Sequence, residues 1–136
     1  MKKASLSLLT LVLVLLATIL HAEPQADKSV PPATFDAVVT FHEIFEPVWH
    51  QAYPAKDIPA ITESVPKLQQ AAKNLLEAVN ANGSAHLKPS VEGVSESVEH
   101  LAAVVEKGDQ AEILSALEQA HNKMHVIIEQ TDAHDH

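Results

Sequence analysis

From residue 34 onward the chain places apolar residues at intervals of three and four, with no stretch showing the period-two alternation of a strand. Val38, Phe41, Phe45, Val48 and Ala52 form the first stripe. Ile58, Ile61, Val65, Leu68, Ala72, Leu75 and Val79 form the second and most regular one. Leu87, Val91, Val94, Val98, Leu101 and Val105 make a third, and Ile113, Leu117, Ala120, Met124 and Ile127 a fourth. An α-helix brings such positions onto one face, so each stripe predicts an amphipathic helix with one buried side.

The residues between the stripes punctuate them. Thr34 is placed to cap a first helix running from about Phe35 to Tyr53. Pro47 lies inside that helix, where it removes one amide donor and crowds the carbonyl of Glu43, which predicts a kink. Tyr53-Pro54-Ala55-Lys56 breaks the helix, and Asp57 caps the next, with Pro59 in its first turn. Asn82-Gly83 and Lys107-Gly108 supply left-handed stops, and Asp109 caps the last helix. Four amphipathic segments joined by short loops predict an all-α fold, an up-down-up-down antiparallel four-helix bundle over residues 34–131.

The ends of the chain read differently. Met1-Lys2-Lys3, an apolar run from Ala4 to Leu20, and Ala22 before Glu23 have the layout of a signal peptide over 1–22. An uncleaved anchor is the competing reading of the same run. Residues 23–33, with Pro24, Pro31 and Pro32, read as an extended leader, and 132–136 as a flexible His/Asp tail. With no cysteine there is neither a disulfide framework nor a lipid-modified Cys, so a periplasmic or secreted protein, free of the membrane after cleavage, is expected. Removal of residues 1–22 leaves seven basic against 18 acidic residues, a formal charge of −11 with His neutral. That balance argues against nucleic acid as a partner and favours cations.

Cations matter because of where the imidazoles fall. His42 and Glu46 lie one helical turn apart on the first helix, and His121 and His125 one turn apart on the last. In an antiparallel bundle the two pairs come to one level, 42 facing 125 and 46 facing 121. With Leu117 at the centre of the inward face, His121 falls about 40° away and His125 about 80° away. His121 is thus expected to point inward between Leu114, Leu117 and Ile128, with His125 and His42 at the edges and Glu46 just beyond. His50 points outward on a straight helix and swings back if Pro47 bends it. Imidazoles with one carboxylate and no thiolate suit zinc, copper, nickel or cobalt. Taken alone, an inward His is more often a hydrogen-bonded core residue than a ligand; the matched second pair is what shifts the balance. Met124 reads as core filler rather than a thioether ligand. Trp49 and Tyr53 read as packing over the corner between the first two helices, with shielding of the site as the lesser reading. His86 and His100 read as solvated, and His134 and His136 as weak scavengers.

The stretch Phe41-His42-Glu43-Ile44-Phe45-Glu46-Pro47-Val48-Trp49-His50, followed by Tyr53-Pro54 and Lys56-Asp57, resembles a poorly characterised group of small exported bacterial helical proteins. Their shared pattern is H-x(7)-H around P-x-W-H, then P-x-K-D. In that group the position matching Glu46 can also be His, and a late helix carries a His like His121. The resemblance covers about seventeen residues plus that His. It implies that His42, Glu46, His50 and His121 are exchangeable ligands of one site, and it implies no activity. The architecture is also similar to periplasmic nickel- and cobalt-sensing bundles, by analogy of fold and ligand type alone.

The leading expectation is a non-enzymatic buffer, carrier or sensor of a divalent transition metal, using His42, Glu46, His50, His121 and His125. A haem-b bundle is the alternative, with His121 or His125 paired to His42 or Met124 as axial ligands. A di-iron enzyme needs two Glu-x-x-His motifs, and only Glu118-x-x-His121 is present. A ligand-free interaction or chaperone-like helical protein is the bland reading. No nucleophile–base pair or glycine-rich phosphate loop is visible. A homodimer or a protein partner is left open by the sequence.

Overall fold

The computed structural model describes residues 30–131, and all of its regular structure is helical. Four helices make up the fold: α1 (Pro32–Pro47), α2 (Ile58–Asn82), α3 (Lys88–Lys107) and α4 (Gln110–Thr131). A π-helical turn (Val48–Ala52) and a final α-turn (Tyr53–Ala55) extend α1. The expected signal peptide, most of the leader and the His/Asp tail lie outside the described residues. No described helix is long and apolar enough to cross a membrane.

The stripes read from the sequence are the core. Phe41, Leu68, Leu75, Leu101, Leu117 and Ile127 are fully buried. Burial of each such side chain contributes about 1.5–3 kcal/mol. Near the end of α3, Val104 takes the buried position expected of Val105, which is half-buried. Asp57 caps α2 by accepting from the Ala60 amide at 3.1 Å, and Asp109 caps α4 by accepting from the Glu112 amide at 2.9 Å. Gly83 and Gly108 end α2 and α3 with φ of 71° and 76°, a left-handed conformation that a Cβ would strain.

The start of α1 corrects the expectation. Its N-cap is Pro31, extended at ψ 143°, and Pro32 occupies the first turn. Proline is preorganised for that position and pushes its predecessor out of helical ψ, so the pair Pro31-Pro32 sets the boundary ahead of Thr34. Pro32 and Ala33 are therefore helical rather than part of an extended leader. Thr34 is buried instead, its hydroxyl 3.4 Å from that of Ser84 and 3.5 Å from the Ala78 carbonyl, to which it donates. The contact ties the start of α1 to the connection between α2 and α3.

The end of α1 is where Pro47 acts. Having no amide hydrogen, it cannot bond the carbonyl of Glu43. The next amide, Val48, reaches back only three residues to Phe45, and the backbone then widens until Tyr53 donates five residues back to Val48. The expected disturbance at Pro47 thus takes the form of a π-turn, a feature that recurs at functional sites. Each residue of a wider turn advances by less than the ~100° of an α-helix, so His50, which a straight helix would set about 80° past His42, lags back toward it.

Helices adjacent in sequence pack closely along their lengths, α1 on α2, α2 on α3 and α3 on α4. The seam between α1 and α4 is far looser, their backbones approaching at few points. The bulk of Phe41, Phe45 and Trp49 occupies the α1 side. On the far side of α4 the aliphatic stem of Lys123 runs over α3 at Gly93, its Cδ 3.6 Å from where a Cβ there would stand.

Pro47→Ala restores a donor for the Glu43 carbonyl and removes the ring clash. It is expected to raise unfolding stability by about 1 kcal/mol, read as a higher urea midpoint at unchanged slope. An unchanged or lower midpoint would show that the π-turn is held by tertiary packing rather than by the missing donor.

Candidate functional site

The loose seam between α1 and α4 contains a cavity of about 230 Å³. His42, Phe45, Glu46, Trp49 and His50 line it from α1 and the π-turn, and His121, Met124, His125 and Ile128 from α4. All five residues expected as ligands therefore face one cavity. His42 and His121 are half-buried, while Glu46, His50 and His125 are exposed at its rim. Among the described residues, no three His, Asp or Glu side chains stand close enough to share one metal ion in this arrangement. The geometry collects the donors without converging them.

His121 sits differently from the inward position expected of it. The centre of the α4 core face is taken by Leu117, Ala120 and Met124, all buried, which leaves His121 on the side turned to α1. There its ring lies flat on the indole of Trp49, centroids 3.8 Å apart and planes 8° from parallel. Tyr53 stacks on Trp49 at 4.4 Å and 20°. Phe45 stands 6.1 Å from the His121 ring at 26°. Trp49 is thus a wall of the cavity and not simply corner packing, which makes the lesser sequence reading the better description of its place.

Burial against these rings holds the His121 imidazole below its ordinary pKa, and the charges of His125 and His50 push the same way. The Asn122 side-chain oxygen, as an acceptor for the ring N–H, and the carboxylate of Glu118 oppose the shift without reversing it. His121 is therefore neutral at neutral pH and keeps a ring lone pair. His125 lies 5.9 Å from His121, tilted by 58°, and its Nδ1 is 3.2 Å from a Glu129 carboxylate oxygen. Met124 is 2% exposed, in keeping with its reading as core filler. His86 and His100 are exposed and away from the cavity.

Comparison with protein-family models, with characterised proteins and with solved structures finds no match. Phe45 and Met124, read from the sequence as core residues, also line the cavity. The sequence carried one signal for the aromatic wall: Phe45, Trp49 and Tyr53 repeat every four residues and share a face with His42.

The His121 environment has a pH consequence. Native His121 binds its proton less readily than it does in the unfolded chain, where the midpoint is about 6.5. Below that pH the unfolded state takes up more protons, so stability falls as pH drops from about 6.5 through the native midpoint and is unaffected above. In NMR titration with chelator present, the His121 ring protons are expected to show a midpoint below the ordinary value. The midpoint should move upward in Trp49→Leu, where the flat cover is lost. An ordinary midpoint in the parent protein would contradict the assigned burial.

Proposed function

We propose that this chain is a non-enzymatic, exported binder of a divalent transition metal (zinc, copper, nickel or cobalt), acting as buffer, carrier or sensor. The observation that carries this reading is the shared cavity: His42, Glu46, His50, His121 and His125 all line it, from two different helices. We further infer an up-down-up-down antiparallel order, supported by close packing of successive helices and by connections as short as Lys56–Asp57 and Gly108–Asp109.

The donor set fits such an ion in kind. Neutral imidazole and one carboxylate are borderline ligands suited to these metals, and the half-buried, neutral His121 has no proton to shed before ligating. Convergence requires Glu46, His50 or His125 to swing in from the rim. Ordering an exposed side chain costs on the order of 1–2 kcal/mol, small against the roughly 10 kcal/mol that structural zinc sites release. The exposed rim leaves a path for exchange, which suits a carrier or buffer better than a sealed structural site. Haem fits less well. A cavity of about 230 Å³ falls below the roughly 300–1,000 Å³ of pockets for drug-sized ligands, so haem would have to part α1 from α4.

Trp49 is the only tryptophan in the chain and lies against His121, so its emission reports on that ring. Titrating tag-free mature protein with Cu²⁺ or Ni²⁺ is expected to quench it at one equivalent. His121→Ala should abolish the quenching, and His42→Ala should weaken it about tenfold or more in metal concentration. Metal bound at unit stoichiometry with undiminished affinity in His121→Ala would refute the site, and no binding by the parent protein would refute the function.

A further inference from the structure

His121 belongs to a stack of three rings, Tyr53 on Trp49 on His121, built from two separate elements. Both faces of the indole are covered, by Tyr53 at 4.4 Å and by His121 at 3.8 Å. Trp49 therefore offers no open face to a cation, and its part in the cavity has to be played through His121. Two rings parallel within 8° leave the imidazole little freedom to rotate about its bond to Cβ, because any large turn would drive its edge into the indole. Phe45 limits it further, at 6.1 Å.

We propose that Trp49 is the positioning residue of this cavity: it fixes the plane of His121, so that the ring presents an edge nitrogen to an ion held within that plane. The inference rests on the metal-binding reading of the same cavity and deepens it, because it names what orients the anchoring ligand. A metal ion bonds imidazole along the in-plane lone pair, so a fixed ring plane confines the ion to one thin slice of the cavity. The indole sits in the π-turn that extends α1. Pro47 opens the turn, Val48 and Ala52 stay buried, and Trp49 is left on the flank facing α4.

The test uses the full mature chain with Zn²⁺ and Co²⁺ as probes. Trp49→Phe keeps a flat ring, whereas Trp49→Leu keeps apolar bulk without one. Zinc affinity by calorimetry is expected to stay within about threefold of the parent in Trp49→Phe and to fall 10–100-fold in Trp49→Leu, the range typical of residues that orient metal ligands. The visible d–d bands of bound Co²⁺, which report ligand number and geometry, should match the parent in Trp49→Phe and change in Trp49→Leu. Circular dichroism and melting of both variants verify folding; if Trp49→Leu is unfolded, Trp49→Met takes its place. Parent-like zinc affinity and Co²⁺ bands in the aliphatic variant overturn the inference and leave the metal site standing. No zinc or cobalt binding by the parent protein overturns both.

Discussion

Pro47 has no amide hydrogen to offer its helix, and much of the functional face of this protein is arranged around that deficit. The carbonyl of Glu43 loses its partner, Val48 bonds three residues back, and the backbone opens into a π-turn before closing again at Tyr53. Across the widened turn Val48 and Ala52 stay on the core and Trp49 lies against the last helix. A straight α-helix through the same residues would satisfy the backbone better, but it would carry His50 further around the axis, away from His42. The seam between α1 and α4, loose along its length, is closed at this level by rings stacked face to face.

That arrangement divides the labour among the cavity residues. His121 is half-buried against aromatic rings, which holds its pKa below the ordinary value, while Glu46, His50 and His125 are exposed at the rim. A rigid anchor with mobile partners differs from a preformed cage in how it pays for binding: entropy is spent when the rim residues are drawn in. As the metal site proposed above, such an arrangement would trade affinity for rapid exchange. This suits the handling of an ion better than its permanent retention.

The helical fold was legible because its causes are local. Apolar stripes at helical spacing, carboxylates at Asp57 and Asp109, and glycines at Gly83 and Gly108 each act within a turn of their own position, and they act as read. Thr34 was misread for the opposite reason: its partners Ser84 and Ala78 lie on distant parts of the chain, while the Pro31-Pro32 pair beside it set the boundary. The grouping of His42, Glu46, His121 and His125 about one cavity followed from equal depth along two helices. The orientation of His121 did not, because it depends on a ring carried by another part of the chain. Pro47 marks where the helix is disturbed, but the direction in which Trp49 turns is a tertiary result.

The placement of Lys123 over Gly93 has an electrostatic outcome. Between Pro32–Ala55 and Gln110–Thr131, the two stretches that wall the cavity, Lys123 is the one Lys or Arg. Its stem is drawn across α3, on the side of α4 away from His121 and His125. The cavity mouth is left to the carboxylates of Glu46, Glu118 and Glu129 on those same stretches, with no fixed ammonium to neutralise them. The field from these two stretches is negative by subtraction: their one lysine has been folded out of the way, and a mobile positive ion approaching the seam meets no ammonium from either wall.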